Sequence, residues 1–178
     1  MRVGKGTEVT ILAERIRERC LLRGTFTLRS GKTSDHYFDK YRFECDPEVL
    51  QLVAHELRRL VPSNVQVLAG LEMGGIPIAT AVSLATGLPA AYVRKERKTY
   101  GTCRIAEGSE VAGKRVAIIE DIVSSGGAII AAVEELRREG ASVACALCVI
   151  DRETGGREAL GVHGIELRSV LRECEVLK

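Results

Sequence analysis

From about residue 65 onward, the 178-residue chain alternates short, continuously apolar runs with segments of helical pattern. Val65–Ala69, Ala90–Val93, Val116–Ile119, Val143–Ile150 and Ile165–Leu171 read as strands, and Pro77–Ala85 and Gly127–Glu139 read as helices, the second stopped by Gly140. A strand without polar alternation is buried on both faces. That requires a mostly parallel sheet with helices packed on each side. In α/β sheets of this kind a ligand sits beyond the carboxyl ends of the strands, so the segments following Ala69, Val93, Ile119 and Ile150 are where function is expected.

The first third differs. A helix is expected over Glu8–Arg19, with Val9, Leu12, Ile16 and Cys20 on one stripe. Phe26–Phe43 is rich in Thr, Ser, Gly and aromatics, with turn chemistry at Ser30-Gly31, and reads as strands and loops. Asp46-Pro47-Glu48 is a helix start, a cap followed by proline in the first turn, leading into Val49–Leu60. No long linker or repeat interrupts the chain, so residues 1–178 are expected to form a single domain, with 1–45 contributing a small N-terminal hood.

Charge and cysteine usage exclude several classes. Lys and Arg number 26 against 24 Asp and Glu, a net charge of +2, without the basic excess of a nucleic-acid binder. The uncharged stretch Met73–Val93 is long enough to span a bilayer, but it is broken by Gly74, Gly75, Pro77, Gly87 and Pro89. A buried helix and a short strand explain it better, and no membrane association is expected. Met1–Gly6 lacks the apolar segment of a secretory signal, which points to the reducing cytoplasm and to free thiols among the six cysteines. Cys145 and Cys148 form a C-x-x-C inside an apolar strand. Residues three apart on a strand face opposite ways, which suits neither a disulfide nor a shared metal. His36, His55 and His163 lie in unlike surroundings and are not read as metal ligands.

The segment with most chemical content is Val116-Ala117-Ile118-Ile119-Glu120-Asp121-Ile122-Val123-Ser124-Ser125-Gly126-Gly127-Ala128. An apolar strand ends in two adjacent carboxylates, and a Ser-Ser-Gly-Gly turn then opens a helix. Small residues let the backbone curl round an anion, and the helix start supplies free N–H groups and the positive end of its dipole. The carboxylates suit sugar hydroxyls or a hydrated magnesium ion. There is no G-x-G-x-x-G and no Gly-Lys-Ser/Thr, so this is neither a dinucleotide fingerprint nor a P-loop.

This pattern resembles the ribose-phosphate motif of the type I phosphoribosyltransferases. The resemblance implies that Glu120 and Asp121 hold the ribose hydroxyls of phosphoribosyl pyrophosphate, with Asp121 also a catalytic residue. It also implies that Ile122, Val123, Ser124, Ser125, Gly126, Gly127 and Ala128 form the cradle of the 5-phosphate. Three further segments resemble the orotate branch of that family. Phe26–Ser34 with Tyr37-Phe38-Asp39 looks like its N-terminal hood, and Tyr92–Gly101 looks like its mobile catalytic loop. Val149–Glu153, followed by Gly155-Gly156, looks like its Asp-Arg base-recognition turn. Together the segments cover about residues 20–160.

The expected enzyme is an Mg²⁺-dependent transferase of the type I phosphoribosyltransferase fold, an α/β fold with a mostly parallel sheet flanked by helices and a small hood. It would join orotate to the phosphoribosyl group, giving orotidine 5-phosphate and pyrophosphate in pyrimidine synthesis. Arg94 and Lys98 are the implied catalytic cations, and Arg94, Lys95, Lys98, Tyr100, Gly74 and Gly75 the implied contacts to the donor. Ser124, Arg152 and Arg29 are implied for orotate. Arg94, Lys95, Arg97 and Lys98 bring cations to a loop that could close over a departing polyanion, and Arg152 can grip the orotate carboxylate with a bidentate fork. The magnesium is held mainly by the donor itself, with water-mediated reach from Glu120 and Asp121 and no direct protein ligand. The resemblance also implies a homodimer with shared active sites.

Three positions depart from the common pattern. Tyr100 stands where many orotate enzymes have His, Gly74 where several have Lys, and Glu120 where Asp is commoner. Tyr100 can still donate a hydrogen bond, and Gly74 and Gly75 would bind through backbone N–H groups alone. Alternative functions are a phosphoribosyltransferase for another nucleobase, or a regulator that binds the donor without catalysis.

Overall fold

The structure is a computed structural model, and it describes residues 5–27, 31, 33–99, 101 and 103–178, with the side chain of Lys5 left out. Helix α1 spans Lys5–Cys20 and leads into an antiparallel hairpin, β1 (Leu21–Thr27) with β2 (Thr33–Phe38). Leu12, Ile16 and Cys20 are fully buried on α1, as the stripe predicts. After the hairpin come α2 (Tyr41–Glu44) and α3 (Pro47–Arg58). Asp46 caps α3 as expected, its Oδ1 accepting from the N–H groups of Glu48 at 3.0 Å and Val49 at 3.2 Å.

The remaining elements are β3 (Val67–Leu71), α4 (Gly75–Thr86), β4 (Ala90–Val93), β5 (Ala106–Gly108), β6 (Arg115–Val123), α5 (Gly127–Arg138), β7 (Ser142–Asp151), α6 (Gly156–Val162), β8 (Leu167–Arg172) and α7 (Glu173–Val176). They form a six-stranded sheet of order β5-β4-β3-β6-β7-β8. Every pair is parallel except β4 with β5. Leu68, Ala117, Ile119, Cys145, Leu147 and Val149 meet α1, α3 and α4 on one face. Val67, Ala69, Val116, Ile118, Ala146 and Cys148 meet α5 and α6 on the other. Cys145 and Cys148 thus belong to opposite cores, and all six cysteines are free. Among the described residues no helix is long and apolar enough to cross a membrane.

The chain departs from the expectations in five places. Between the expected strands at Ala90–Val93 and Val116–Ile119 lies a further one, β5, whose Ala106 pairs with Val93 and which has the buried Ile105 just before it. Three residues are too few to show a period. Strand β6 runs on through both acids to Val123, because Ile122 and Val123 keep pairing with Ile150 and Asp151 of β7. Short α2 and α7 and the glycine-started α6 are added, each four to seven residues and too brief for a helical stripe.

Helix α4 lies unusually close to the sheet. A Cβ on Gly70 would stand 2.6 Å from the Gly75 carbonyl oxygen, and one on Gly75 would stand 2.3 Å from that of Ile119. Both positions must therefore be bare. Gly70→Ala is expected to cost about 1–3 kcal/mol through overpacking, read as a lower midpoint in chemical denaturation.

Candidate active site

Four segments meet at the carboxyl ends of β3, β4, β6 and β7. The turn after β6 holds a cavity of about 180 Å³ lined by Glu120, Ile122, Val123, Ser124, Ser125, Gly126, Gly127, Ala128 and Ile129. Gly126 occupies the left-handed region at φ 77° and begins α5, whose first N–H groups, free of partners within the helix, belong to cavity-lining residues. Concentrated backbone donors and a helix dipole give this cavity the chemistry of an anion cradle.

Glu120 and Asp121 are neighbours on a strand, so their side chains leave opposite faces of the sheet. Glu120 lines the cradle, half-buried, while Asp121, 1% exposed, faces the turn before α4. There Asp121 Oδ2 receives the Lys40 ammonium at 2.5 Å, and its Oδ1 accepts from the Ile122 N–H at 2.5 Å. A Cβ on Gly74 would lie 1.7 Å from Asp121 Oδ2 and 2.8 Å from Glu44 Oε1. The bare Cα of Gly74 makes room for both carboxyls, which accounts in physical terms for glycine there.

This carboxyl cluster is electrostatically divided. Burial raises Asp121, but hydrogen bonds from Glu120 and Lys40 and the Ile122 N–H outweigh it and hold Asp121 below the usual carboxylate range. Burial first, then the adjacent Asp121 charge, pushes Glu44 up to about 8 and Glu120 up to about 9. One site thus holds an ionised acid beside two protonated ones.

The segment after β4 is fastened in several directions. Its stem is closed by the Arg94 N–H donating to the Ile105 carbonyl at 2.9 Å. Arg97 turns away to α5, pairing with Glu135 at 3.0 Å and Glu139 at 2.6 Å. Arg94 and Lys98 both pair with Glu107 of β5, Arg94 at 3.5 Å. The Lys95 N–H donates to Glu72 Oε2 at 3.2 Å, tying this stem to the turn that carries Gly74 and Gly75. Arg94, Lys95, Glu72 and Ala128 line a second cavity of about 140 Å³ between that turn and α5. Tyr100 and Arg29 lie outside the described residues.

The turn after β7 is braced from beneath. Asp151, 2% exposed, accepts two hydrogen bonds from the Arg157 guanidinium at 2.8 and 3.1 Å and one from the Glu153 N–H at 2.9 Å. The Arg152 N–H donates to the Val123 carbonyl at 2.9 Å, joining this turn to the anion cradle. Gly156 lets α6 approach: a Cβ there would stand 2.4 Å from the Ser124 carbonyl oxygen. Arg152 itself lies at a small cleft walled by Phe38, Ile122 and Ile150, its Nε 3.2 Å from Glu173. The guanidinium and the apolar walls suit a planar, acidic ring.

Residues 46–161 match the model of the phosphoribosyl transferase domain family. The orotate phosphoribosyltransferase of Nocardioides sp. is 51% identical to this chain over 165 residues, covering 93% of it and 92% of that protein. The chain belongs to the orotate phosphoribosyltransferase family. The Methanocella arvoryzae enzyme of the same name is 40% identical, with 86% of this chain and 88% of that one aligned. Among solved structures, Mycobacterium tuberculosis orotate phosphoribosyltransferase in complex with phosphoribosyl pyrophosphate superposes with a TM-score of 0.84. It is 32% identical, covering 96% of this chain and 99% of that one.

The structure therefore gathers Gly74, Gly75, Arg94, Lys95, Glu120, Asp121 and the whole of 122–128 round the carboxyl edge of the sheet, with Arg152 on the flanking turn. Sequence reasoning overlooked Lys40, Glu44 and Glu107. Nothing local marks them, since each acquires its role through a partner distant in sequence. A separate group, Glu8, His55 and Glu56, brings potential ligand atoms within 4.8 Å, but Arg59 ion-pairs both glutamates there at 2.9 Å.

The divided cluster has a consequence for stability. Glu44 and Glu120 bind protons more tightly folded than unfolded, so the stability they contribute is present below their unfolded values and lost as pH rises through the folded ones. The melting temperature of the ligand-free protein is expected to fall between about pH 5 and pH 9, and Glu44→Gln is expected to flatten the lower part of that fall. Differential scanning calorimetry across this range checks it.

Proposed function

We propose that this chain transfers the phosphoribosyl group of phosphoribosyl pyrophosphate to N1 of orotate, releasing pyrophosphate and forming orotidine 5-phosphate for pyrimidine (UMP) synthesis. The observation that carries it is the join between the anion cradle and the Arg152 turn, the Arg152 N–H to Val123 carbonyl bond. It couples a phosphate-sized cavity to a guanidinium beside apolar walls. The shared length and identity with orotate phosphoribosyltransferases support the same reading.

The chemistry is one of charge. As the bond from the glycosidic carbon to pyrophosphate breaks, positive charge grows on the sugar ring and negative charge on the leaving group. Ser124–Ala128 hold the 5-phosphate through backbone N–H groups and hydroxyls, and Glu120 and Asp121 take the ribose hydroxyls. The ionised Asp121 also stabilises the developing cationic ring. Gly74 and Gly75 offer N–H groups to the pyrophosphate, Arg94, Lys95 and Lys98 neutralise it, and Tyr100 donates it a hydrogen bond. Lys98 and Arg94 leave Glu107 when the polyanion arrives, a better partner than one carboxylate. Arg152, Ser124 and Arg29 hold the orotate. Closure of the segment between β4 and β5 excludes water that would otherwise hydrolyse the donor.

A hard cation takes oxygen donors, and the ionised Asp121, joined by Glu120 once its proton leaves, would offer them. Magnesium bound with the donor would supply further neutralisation of its phosphates and be reached through water by those two carboxylates. We read the working unit as a cytoplasmic homodimer in which each loop serves the neighbouring site, the arrangement the family resemblance implies.

A spectrophotometric assay of orotate consumption with donor and Mg²⁺ tests the reading, and no consumption overturns it. Lys98→Ala is expected to lower kcat roughly 10²–10³-fold, the cost of losing one preorganised charge at the transition state, with an unchanged melting temperature. Arg152→Ala is expected to raise KM for orotate while leaving KM for the donor near wild type.

A further inference from the structure

We propose that Lys40, from the N-terminal segment, is a positioning residue of the donor site, holding the Asp121 carboxylate in the orientation in which it meets the ribose. The inference rests on the functional reading above and adds to it a residue from outside the carboxyl edge of the sheet.

Asp121 is hemmed in on every side. One oxygen is held by the N–H of the next residue on its own strand, and the other receives the Lys40 ammonium at 2.5 Å. The Cα of Gly74 closes a third side, with no room even for a Cβ. Glu44 crowds the same space, and its proximity to Asp121 is repulsive whenever both are ionised. Lys40 is the cation paired with Asp121 among the described residues, so its loss leaves a buried carboxylate without a counter-charge, free to swing out of the place the ribose needs. Lys40 is itself fixed: the Asp39 N–H donates to the Cys20 carbonyl at 2.9 Å, and the Lys40 ammonium lies 5.2 Å from the Tyr41 ring centroid. The Lys40 side chain is 35% exposed against 1% for Asp121, so the pair runs from the core to the cleft edge rather than being sealed inside.

The pair also sits between the two halves of the donor. Asp121 belongs to the ribose side, and the Gly74 turn to the pyrophosphate side. A misplaced Asp121 therefore penalises the donor and not the base.

The test is steady-state kinetics and thermal denaturation of the full chain. Lys40→Met is expected to raise KM for phosphoribosyl pyrophosphate roughly 10- to 100-fold, the range typical of losing a partner that orients a site residue, with KM for orotate unchanged. Above about pH 8, where Glu44 loses its proton, adding Glu44→Gln to Lys40→Met is expected to recover part of that loss, because it removes a like charge beside Asp121. A purely structural role would not produce that recovery. Lys40→Gln, which keeps a hydrogen bond, is expected to fall between wild type and Lys40→Met. The inference is overturned if Lys40→Met keeps the wild-type donor KM, if both KM values rise together, or if neither single variant folds. A wild-type chain that turns over no orotate sinks the functional reading and this inference with it. An active wild type with an indifferent Lys40→Met sinks this inference alone.

Discussion

A buried carboxylate cannot stay charged without partners, and the carboxyl edge of the sheet is arranged around that demand at Asp121. Its neighbours on the strand and in the N-terminal segment supply a backbone N–H and an ammonium. The turn before α4 gives way to it with a bare glycine. Two adjacent glutamates yield by keeping their protons. Remove the ionised Asp121, and the Lys40 ammonium loses its reason to reach inward from the end of the hairpin.

The alternation of a strand sorts the remaining chemistry. Because β6 continues through both acids, Glu120 and Asp121 serve opposite faces, one at the anion cradle and one at the Gly74 turn. The same rule separates Cys145 from Cys148 into two cores on β7 and leaves that C-x-x-C without metal or redox geometry. Close approach is the second organising device. Gly70 and Gly75 bring α4 onto the sheet, and Gly156 brings α6 against the cradle. Helix termini are thereby delivered where an anion would sit.

Much of this was legible in the chain. Continuous apolar runs do not depend on context to be recognised as buried strands, and a capped, proline-started helix announces itself, so the parallel sheet and α3 emerged with nearly their observed bounds. The Glu120–Ala128 segment was legible because strand, acids, small turn and helix start are contiguous. The continuation of β6 was not, since it depends on Ile122 and Val123 finding Ile150 and Asp151 on a neighbouring strand. Strand β5 escaped because three residues carry no period, and its existence is decided by β4.

Charges show the limit most clearly. From sequence, Arg94, Lys95, Arg97 and Lys98 form one basic run, yet folding divides them: Arg97 goes to α5, and Arg94 and Lys98 share Glu107. Asp151 precedes Arg152 in the turn after β7, and its carboxylate is spent on Arg157 and the Glu153 N–H, which shape that turn. By itself the sequence determined which segments are strands and helices and where an anion cradle could form, because those depend on contiguous residues. Only the tertiary structure decided which charges are paired, which acid keeps its proton and which glycine makes room for a carboxylate. Coulomb interaction and steric exclusion act between neighbours in space, and Lys40, Gly74 and Asp121 become neighbours only when the chain is folded.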